Sequence, residues 1–259
     1  MSIKLLNYAR ELFEAEETTS EIKPLTERDK DLDVKDAYQI QLETVKLKTD
    51  QGKKVIGKKV GLTSKAMQEM LKVDEPDYGH LFDDMEVKNG DVIDTKTMIA
   101  PRVEAEIGFI LSEDLVGPNI TFLDVIMATD YVVPTLEIID SRIEDWKIKL
   151  VDTVADNGSS AKVVIGDQKK NLEEVDLRLN GMILSKNDDI IATGAGAAAL
   201  GHPAEAIAWL ANKLSEFDIT LKKGELILPG ALSGAVAVEA GDDITADFGT
   251  LGTVSVSFK

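Results

Sequence analysis

The amino-acid sequence predicts an α+β fold: a helical N-terminal subdomain over residues 1–52, carried on a mixed, β-rich body over residues 53–259. Three observations predict it. The first fifty residues place apolar side chains at helical spacing. The texture changes at Val55 to short apolar runs punctuated by glycine. Beyond Val92, β-type runs follow one another with only two convincing helical stretches between them. That is not the regular strand–helix alternation of a doubly wound parallel sheet.

The elements follow in order. Ile3, Leu5, Leu6, Ala9, Leu12 and Phe13 form an i, i+3, i+4 stripe with charges between them, which predicts a first helix. Pro24 breaks the chain, and a second helix is expected from near Asp33 through Ala37, Ile40, Leu42, Val45 and Leu47, with Gly52 as its stop signal. Val55–Leu62 reads as a strand, and a short helix is expected after a Thr63–Ser64 cap, through Met67 and Met70. Further strands are expected at Val103–Leu111, Tyr131–Ile139, Lys162–Ile165, Leu177–Leu184, Glu225–Leu228, Asp243–Phe248 and Thr253–Phe258. The two later helices are placed near Phe122–Ala128 and at Pro203–Leu214. No Pro/Ser linker, low-complexity stretch or fixed-period repeat divides the chain.

Composition removes several classes of function. The 259 residues carry a formal charge of −18. Such an acidic chain lacks the basic footprint that a nucleic-acid backbone or an anionic membrane surface requires. With no cysteine there is no disulfide framework and no Cys-ligated zinc or iron–sulfur site. No window approaches 18 uninterrupted apolar residues, and the N-terminus has no apolar signal core. A cytoplasmic protein is the expectation.

The most informative segment is Arg102-Val103-Glu104-Ala105-Glu106-Ile107-Gly108-Phe109-Ile110. Residues i and i+2 of a strand face one side, so Glu104 and Glu106 project together. Glu137 sits in a second apolar run, Val132–Ile139. Carboxylates are seldom buried without partners. Two unit charges 4 Å apart repel by about 4 kcal/mol at an effective dielectric of 20. A hard divalent cation removes that repulsion, and an oxygen-only donor set favours Mg²⁺, Mn²⁺ or Ca²⁺ over zinc. From spacing alone two readings stand: a metal site, or glutamates on a solvated strand face.

Other segments are also two-sided. Within Gly57-Lys58-Lys59-Val60-Gly61, a lysine framed by glycines either points into a cleft or lies on the surface. Asp77, in the polar, turn-rich Glu75–His80 segment, reads as a loop residue: a general acid or base, or an Asx turn. Asp156–Ser160 reads as a loop that supplies donors to an anion or merely turns the chain. The glycines of Gly194–Gly201 match neither a dinucleotide fingerprint nor a phosphate loop, and two histidines without a G-x-S-x-G elbow do not support a serine-hydrolase triad.

Taken together, GKKVGLT (57–63), SKAMQ (64–68), EPDYGHL (75–81), PRVEAEIGF (101–109), EIIDSRIEDW (137–146) and DTVADNGSS (152–160) resemble the 2-oxopent-4-enoate hydratase / 4-oxalocrotonate decarboxylase family of the fumarylacetoacetate hydrolase superfamily. The likeness runs in order along almost the whole chain, to the closing LGTVSVSF (251–258). It implies a fumarylacetoacetate-hydrolase-like body and a homo-oligomer. It implies Mg²⁺, or alternatively Mn²⁺, held by Glu104, Glu106 and Glu137. Lys59, rather than Lys58, and Asp77 take the catalytic positions, and Lys59, Leu62 and Ser160 the substrate pocket. Gly158 stands where the motif often has alanine, so looser packing is expected there.

The implied substrate is a small 2-oxo or 2-hydroxydienoic acid. The implied reaction is hydration of 2-hydroxypenta-2,4-dienoate to 4-hydroxy-2-oxopentanoate, as in aromatic meta-cleavage catabolism. The alternative is decarboxylation of 4-oxalocrotonate, with Arg142 and Lys147 as neighbours for a second carboxylate. A hydratase of a longer 2-oxo dicarboxylate and a non-catalytic subunit of a pathway partner enzyme complete the set.

Overall fold

The computed structural model describes residues 2–65, 68–69 and 73–259. The helix expected through Met67 and Met70 therefore lies largely outside the described residues. Three N-terminal helices come first: α1 (Ile3–Glu17), α2 (Leu25–Arg28) and α3 (Val34–Asp50). The Ser2 side chain caps α1 by accepting from the Leu5 N–H, and Asp33 caps α3 by accepting from Asp36. Helix α1 buries Leu5, Tyr8, Ala9, Leu12 and Ala15, while Ile3, its first residue, is left 78% exposed. Helix α3 buries Ala37, Tyr38, Ile40, Gln41, Thr44 and Lys48. Leu5, Tyr8, Ala9, Leu12, Ala37, Tyr38 and Ile40 join the same hydrophobic core as the sheets behind them.

The described part of the body contains two sheets. The larger comprises β1 (Val55–Gly61), β2 (Asp77–Phe82), β3 (Glu86–Lys88), β5 (Arg102–Leu111), β6 (Thr129–Ile139), β7 (Ser160–Ile165), β10 (Leu226–Leu228) and β11 (Val236–Ala237). Its order is β2-β1-β10-β5-β6-β7-β3, with β11 beside β5. The β1–β10 and β3–β7 pairs are parallel and the others antiparallel. Strand β2 also comes into contact with β7, so the sheet is curled. The smaller sheet runs β4 (Val92–Ile93), β13 (Thr253–Phe258), β12 (Asp243–Asp247), β8 (Gly181–Lys186) and β9 (Asp189–Ala195).

Further helices are α4 (Phe122–Ala128), α5 (Leu150–Ala155) and α6 (Pro203–Ser215). Pro203 stands at the start of α6, where its missing N–H costs nothing, and His202 caps that end. Helix α5 is an addition to the helices that the sequence predicts. It is short, and Asp152 anchors it by accepting from the backbone and hydroxyl of Thr26 at 3.0 and 2.7 Å.

Two other local expectations are corrected. Asp77 opens strand β2 instead of sitting in a loop: the whole of Asp77–Phe82 is buried against β1. The strand expected at Leu177–Leu184 begins at Gly181 and turns through Asn187 and Asp188, at φ 52° and 68°, into β9. Those are the positive φ values of a tight hairpin, which Asn and Asp tolerate.

Candidate active site

The register of β5 against β6 sets Glu104 directly opposite Glu137 and Glu106 opposite Thr135. Strand alternation keeps Glu106 on the same face as Glu104. The three glutamates thus converge: one carboxylate oxygen from each lies within 4.8 Å of the others. Glu106 and Glu137 are fully buried.

One oxygen of this cluster has a direct backbone partner, since the Gly230 N–H donates to Glu106 Oε2 at 2.7 Å. Glu106 Oε1 and both oxygens of Glu137 accept no hydrogen bond. Burial pushes Glu104 up to about 7; Lys59 opposes that and Glu137 adds to it. Burial, with Glu137 and Glu104 beside it, pushes Glu106 well above the carboxylate range. Glu137 also rises through burial, which outweighs the pull of Lys59 and of the neighbouring Ser160 hydroxyl. Buried oxygens with no donor, on carboxyls driven toward neutrality by crowding, are a donor set that a hard divalent cation completes. The residues fit magnesium, and the same oxygens suit manganese.

Lys58 and Lys59 separate by strand alternation. Lys58 points to the opposite face and forms a buried ion pair with Glu225, at 2.6 and 2.7 Å. Lys59 places Nζ 3.6 Å from Glu137 Oε2. Burial alone would depress Lys59, but Glu137, Asp77, Glu104 and Glu106 overcome this and hold it protonated.

Asp77 lies on the neighbouring strand, opposite Gly61. Its Oδ2 accepts from the Thr153 hydroxyl at 3.3 Å, and Oδ1 is buried without a partner. Burial raises the Asp77 carboxyl, against the pull of Lys59, Thr153 and the Gly61 N–H. Ser160 opens β7, and its hydroxyl is buried without a partner. Leu62 follows β1 at φ 56°, beside the start of β2, and its carbonyl accepts from Gln68 Nε2 at 2.8 Å.

Two glycines let these groups approach one another. A Cβ on Gly61 would lie 2.1 Å from Asp77 Oδ1 and 3.2 Å from Lys59 Nζ. Gly158 has φ +60°, and a Cβ there would stand 3.2 Å from Lys59 Cε and Nζ. The expected loosening at Gly158 is therefore corrected: the position is filled by the Lys59 side chain. The turn bearing Gly158 is fixed to β2 by Asn157, which accepts from the His80 N–H at 2.7 Å and donates to its carbonyl at 2.9 Å.

Sequence reasoning does not single out Thr153, Gly230 and Asn157 individually as functional residues, because a backbone donor or a lone threonine on a helix has no spacing signature. Arg142 is not free for a ligand. Its guanidinium donates to Asp156 Oδ1 at 2.5 Å and to the carbonyls of Asp140 and Ser160 at 2.8 and 3.0 Å. Lys147 is exposed and paired with Asp145.

A curled mixed sheet with three converging glutamates, and with a lysine and an aspartate at hand, defines an enzyme built around an oxygen-ligated divalent cation. The model for the C-terminal region of fumarylacetoacetate (FAA) hydrolase matches residues 55–259, and the chain belongs to that family. A 2-hydroxyhexa-2,4-dienoate hydratase of Comamonas testosteroni is 46% identical, over 95% of this chain and 94% of its own. A 2-keto-4-pentenoate hydratase of Paraburkholderia xenovorans (strain LB400) is 45% identical, over 97% and 93%. The solved structure of 4-oxalocrotonate decarboxylase from Pseudomonas putida G7, complexed with magnesium and adipate, superposes with a TM-score of 0.97 at 40% identity, covering 99% of this chain and 97% of that one. Among the described residues, no helix is long and apolar enough to cross a membrane.

Proposed function

We propose that this chain is a divalent-metal-dependent hydro-lyase that converts 2-hydroxypenta-2,4-dienoate and water to 4-hydroxy-2-oxopentanoate. The observation that carries the reading is the burial of Asp77 and Lys59 together, both against Gly61, beside the glutamate cluster. Glu104, Glu106 and Glu137 would hold the cation. When bound, it supplies Lewis acidity to the 2-oxygen and carboxylate of the substrate.

The chain's own groups do the rest. Lys59, held protonated, offers positive charge to the substrate carboxylate. Asp77, raised toward the working range of an acid–base group, moves the proton that ketonises the dienol and assists addition of water at the distal alkene carbon. The unpartnered Ser160 hydroxyl is available to a substrate oxygen, and Leu62, next after Gly61, would pack against the substrate. The hydratases of C. testosteroni and P. xenovorans support this reading at 46% and 45% identity. So does the engagement of Arg142 with Asp156, Asp140 and Ser160, because its guanidinium is not left to receive a second substrate carboxylate.

The second reading, decarboxylation of 4-oxalocrotonate, rests on the TM-score of 0.97 to a decarboxylase. We extend the proposal to a cytoplasmic homo-oligomer. Leu123, Met127 and Ile190, at 68%, 80% and 66% exposure, offer apolar surface for assembly.

The test is the ultraviolet decay of freshly generated 2-hydroxypenta-2,4-dienoate with Mg²⁺ and with excess EDTA. Rapid, chelator-sensitive formation of 4-hydroxy-2-oxopentanoate is expected. No conversion by folded, metal-loaded protein, together with CO₂ release from 4-oxalocrotonate, would replace the hydratase reading with the decarboxylase one.

A further inference from the structure

The family model begins at residue 55, so the N-terminal helices lie outside it. One side chain from those helices nevertheless reaches the backbone that carries the acid–base pair. Gln41, on α3, is fully buried. Its Nε2 donates to the carbonyl of Tyr78 and to the carbonyl of Val154, each at 2.8 Å. Tyr78 directly follows Asp77, and Val154 directly follows Thr153. Asp77 and Thr153 are the two residues whose side chains hydrogen-bond across the gap between β2 and α5. Tyr38, one turn earlier on α3, stacks on Tyr78 with ring centroids 4.4 Å apart.

Backbone carbonyls buried in this way need donors. Here a single amide satisfies two of them on different elements and so fixes the distance between those elements. Both acceptors are carbonyls, which assigns the Gln41 nitrogen to this side and leaves Oε1 without a partner. A polar atom kept buried and unpartnered is costly, which marks the paired donors opposite it as the reason for the residue.

We propose that Gln41 is a positioning residue. It locks β2 to α5, so that Thr153 stays bonded to Asp77 and Asp77 stays aimed at the reacting carbons. The helical segment thereby completes the catalytic geometry without touching substrate. The proposal rests on the reading of Asp77 as the proton carrier. Displacement of a catalytic group by about 1 Å can cost on the order of 10²-fold in rate.

The test is steady-state kinetics of the full-length, metal-loaded protein for Gln41→Leu, Thr44→Val and Asp77→Asn. Thr44 is a buried residue on the same helix whose hydroxyl bonds to the Ala9 and Ile40 carbonyls, away from β2 and α5, so Thr44→Val reports a purely structural disturbance. Gln41→Leu is expected to lose at least tenfold in kcat with KM and magnesium affinity within about twofold, whereas Thr44→Val keeps kcat within twofold. If Gln41→Leu retains the kcat of Thr44→Val while Asp77→Asn loses turnover, the positioning role is overturned and the functional reading stands. If Asp77→Asn retains full turnover, the role of Asp77 falls, and that of Gln41 with it. If Gln41→Leu does not fold, Thr153→Val severs the same linkage one bond further on. Unchanged kcat in that variant would equally overturn the proposal.

Discussion

Replacing Glu104 by glutamine should make the metal-free protein more stable. The carboxyl is pushed from its ordinary 4.5 up to about 7 by burial, with Glu137 and Asp77 adding to it against the pull of Lys59. In an acid whose folded pKa is raised, the unfolded chain ionises first. Stability is therefore lost as pH rises from about 4.5 to about 7, and the loss is constant above that. At 1.36 kcal/mol for each pH unit of that window, the destabilisation at pH 7.5 is about 3 kcal/mol. The Glu104→Gln side chain removes that charge, and its amide N–H can donate to Glu137, which stands directly opposite. For a chain of this size the gain in melting temperature is roughly 6–12 °C. The assay is thermal unfolding of wild type and Glu104→Gln in EDTA at pH 7.5 and pH 5. The variant should melt higher at pH 7.5, and the difference should largely vanish at pH 5, where the wild-type carboxyl is protonated in the fold. Millimolar Mg²⁺ should reverse the order, because a ligand bound only to the folded state raises its stability. A variant that melts below wild type in EDTA at both pH values would refute the crowding argument. One that keeps the full magnesium shift would remove Glu104 from the ligand set.

Three further outcomes are expected. Gly61→Ala should lower turnover on the order of 10²-fold, since its Cβ would displace the Asp77 carboxylate, while the magnesium-induced rise in melting temperature persists; kinetics and thermal shift read the two separately. His80 is buried and pushed down to about 3 by burial and by Lys58, so it stays neutral in the fold. Relative to His80→Gln, wild type should lose about 1.4 kcal/mol of stability for each pH unit below 6.5, measured by urea unfolding at pH 6.5, 5.5 and 4.5. Arg142→Met strands the buried Asp156 carboxylate and should cost about 3–5 kcal/mol in the same urea assay.

The parts of this site that are legible in the sequence are those whose chemistry contradicts their surroundings. Glutamates at 104, 106 and 137 interrupt apolar strands, and alternation alone puts the first two on one face. Lys59 is told from Lys58 only by resemblance, because two adjacent lysines on a strand are equivalent until the register shows which face is lined with carboxylates. Asp77 reads as a loop residue for a physical reason. Pro76, Asp77 and Gly79 are weak strand formers, and what makes the segment a strand is pairing with β1 some twenty residues earlier. Gly79 belongs there because the Asn157 carbonyl would lie 2.3 Å from any Cβ. Gln41 is unreadable in the sequence, since a polar amide on a helix has no spacing signature until its two carbonyl acceptors are in place.

The position of β10 in the larger sheet has a consequence for synthesis on the ribosome. Among the described residues, strand β1 pairs only with β2 and β10, and β5 meets β1 through β10 alone. A chain emerging from its N-terminus can assemble the β1–β2 hairpin and the β5–β6–β7 meander early. Until residues 226–228 arrive no strand ladder joins the two, which are tied through the 153–160 segment, by Thr153 to Asp77 and by Asn157 to His80. Until then Lys59 and Asp77 ride on one piece and all three glutamates on the other. A nascent chain short of Leu226 therefore holds its lysine and aspartate against its glutamates by side-chain and turn contacts alone, and β10 adds the backbone ladder that joins the two halves of the centre.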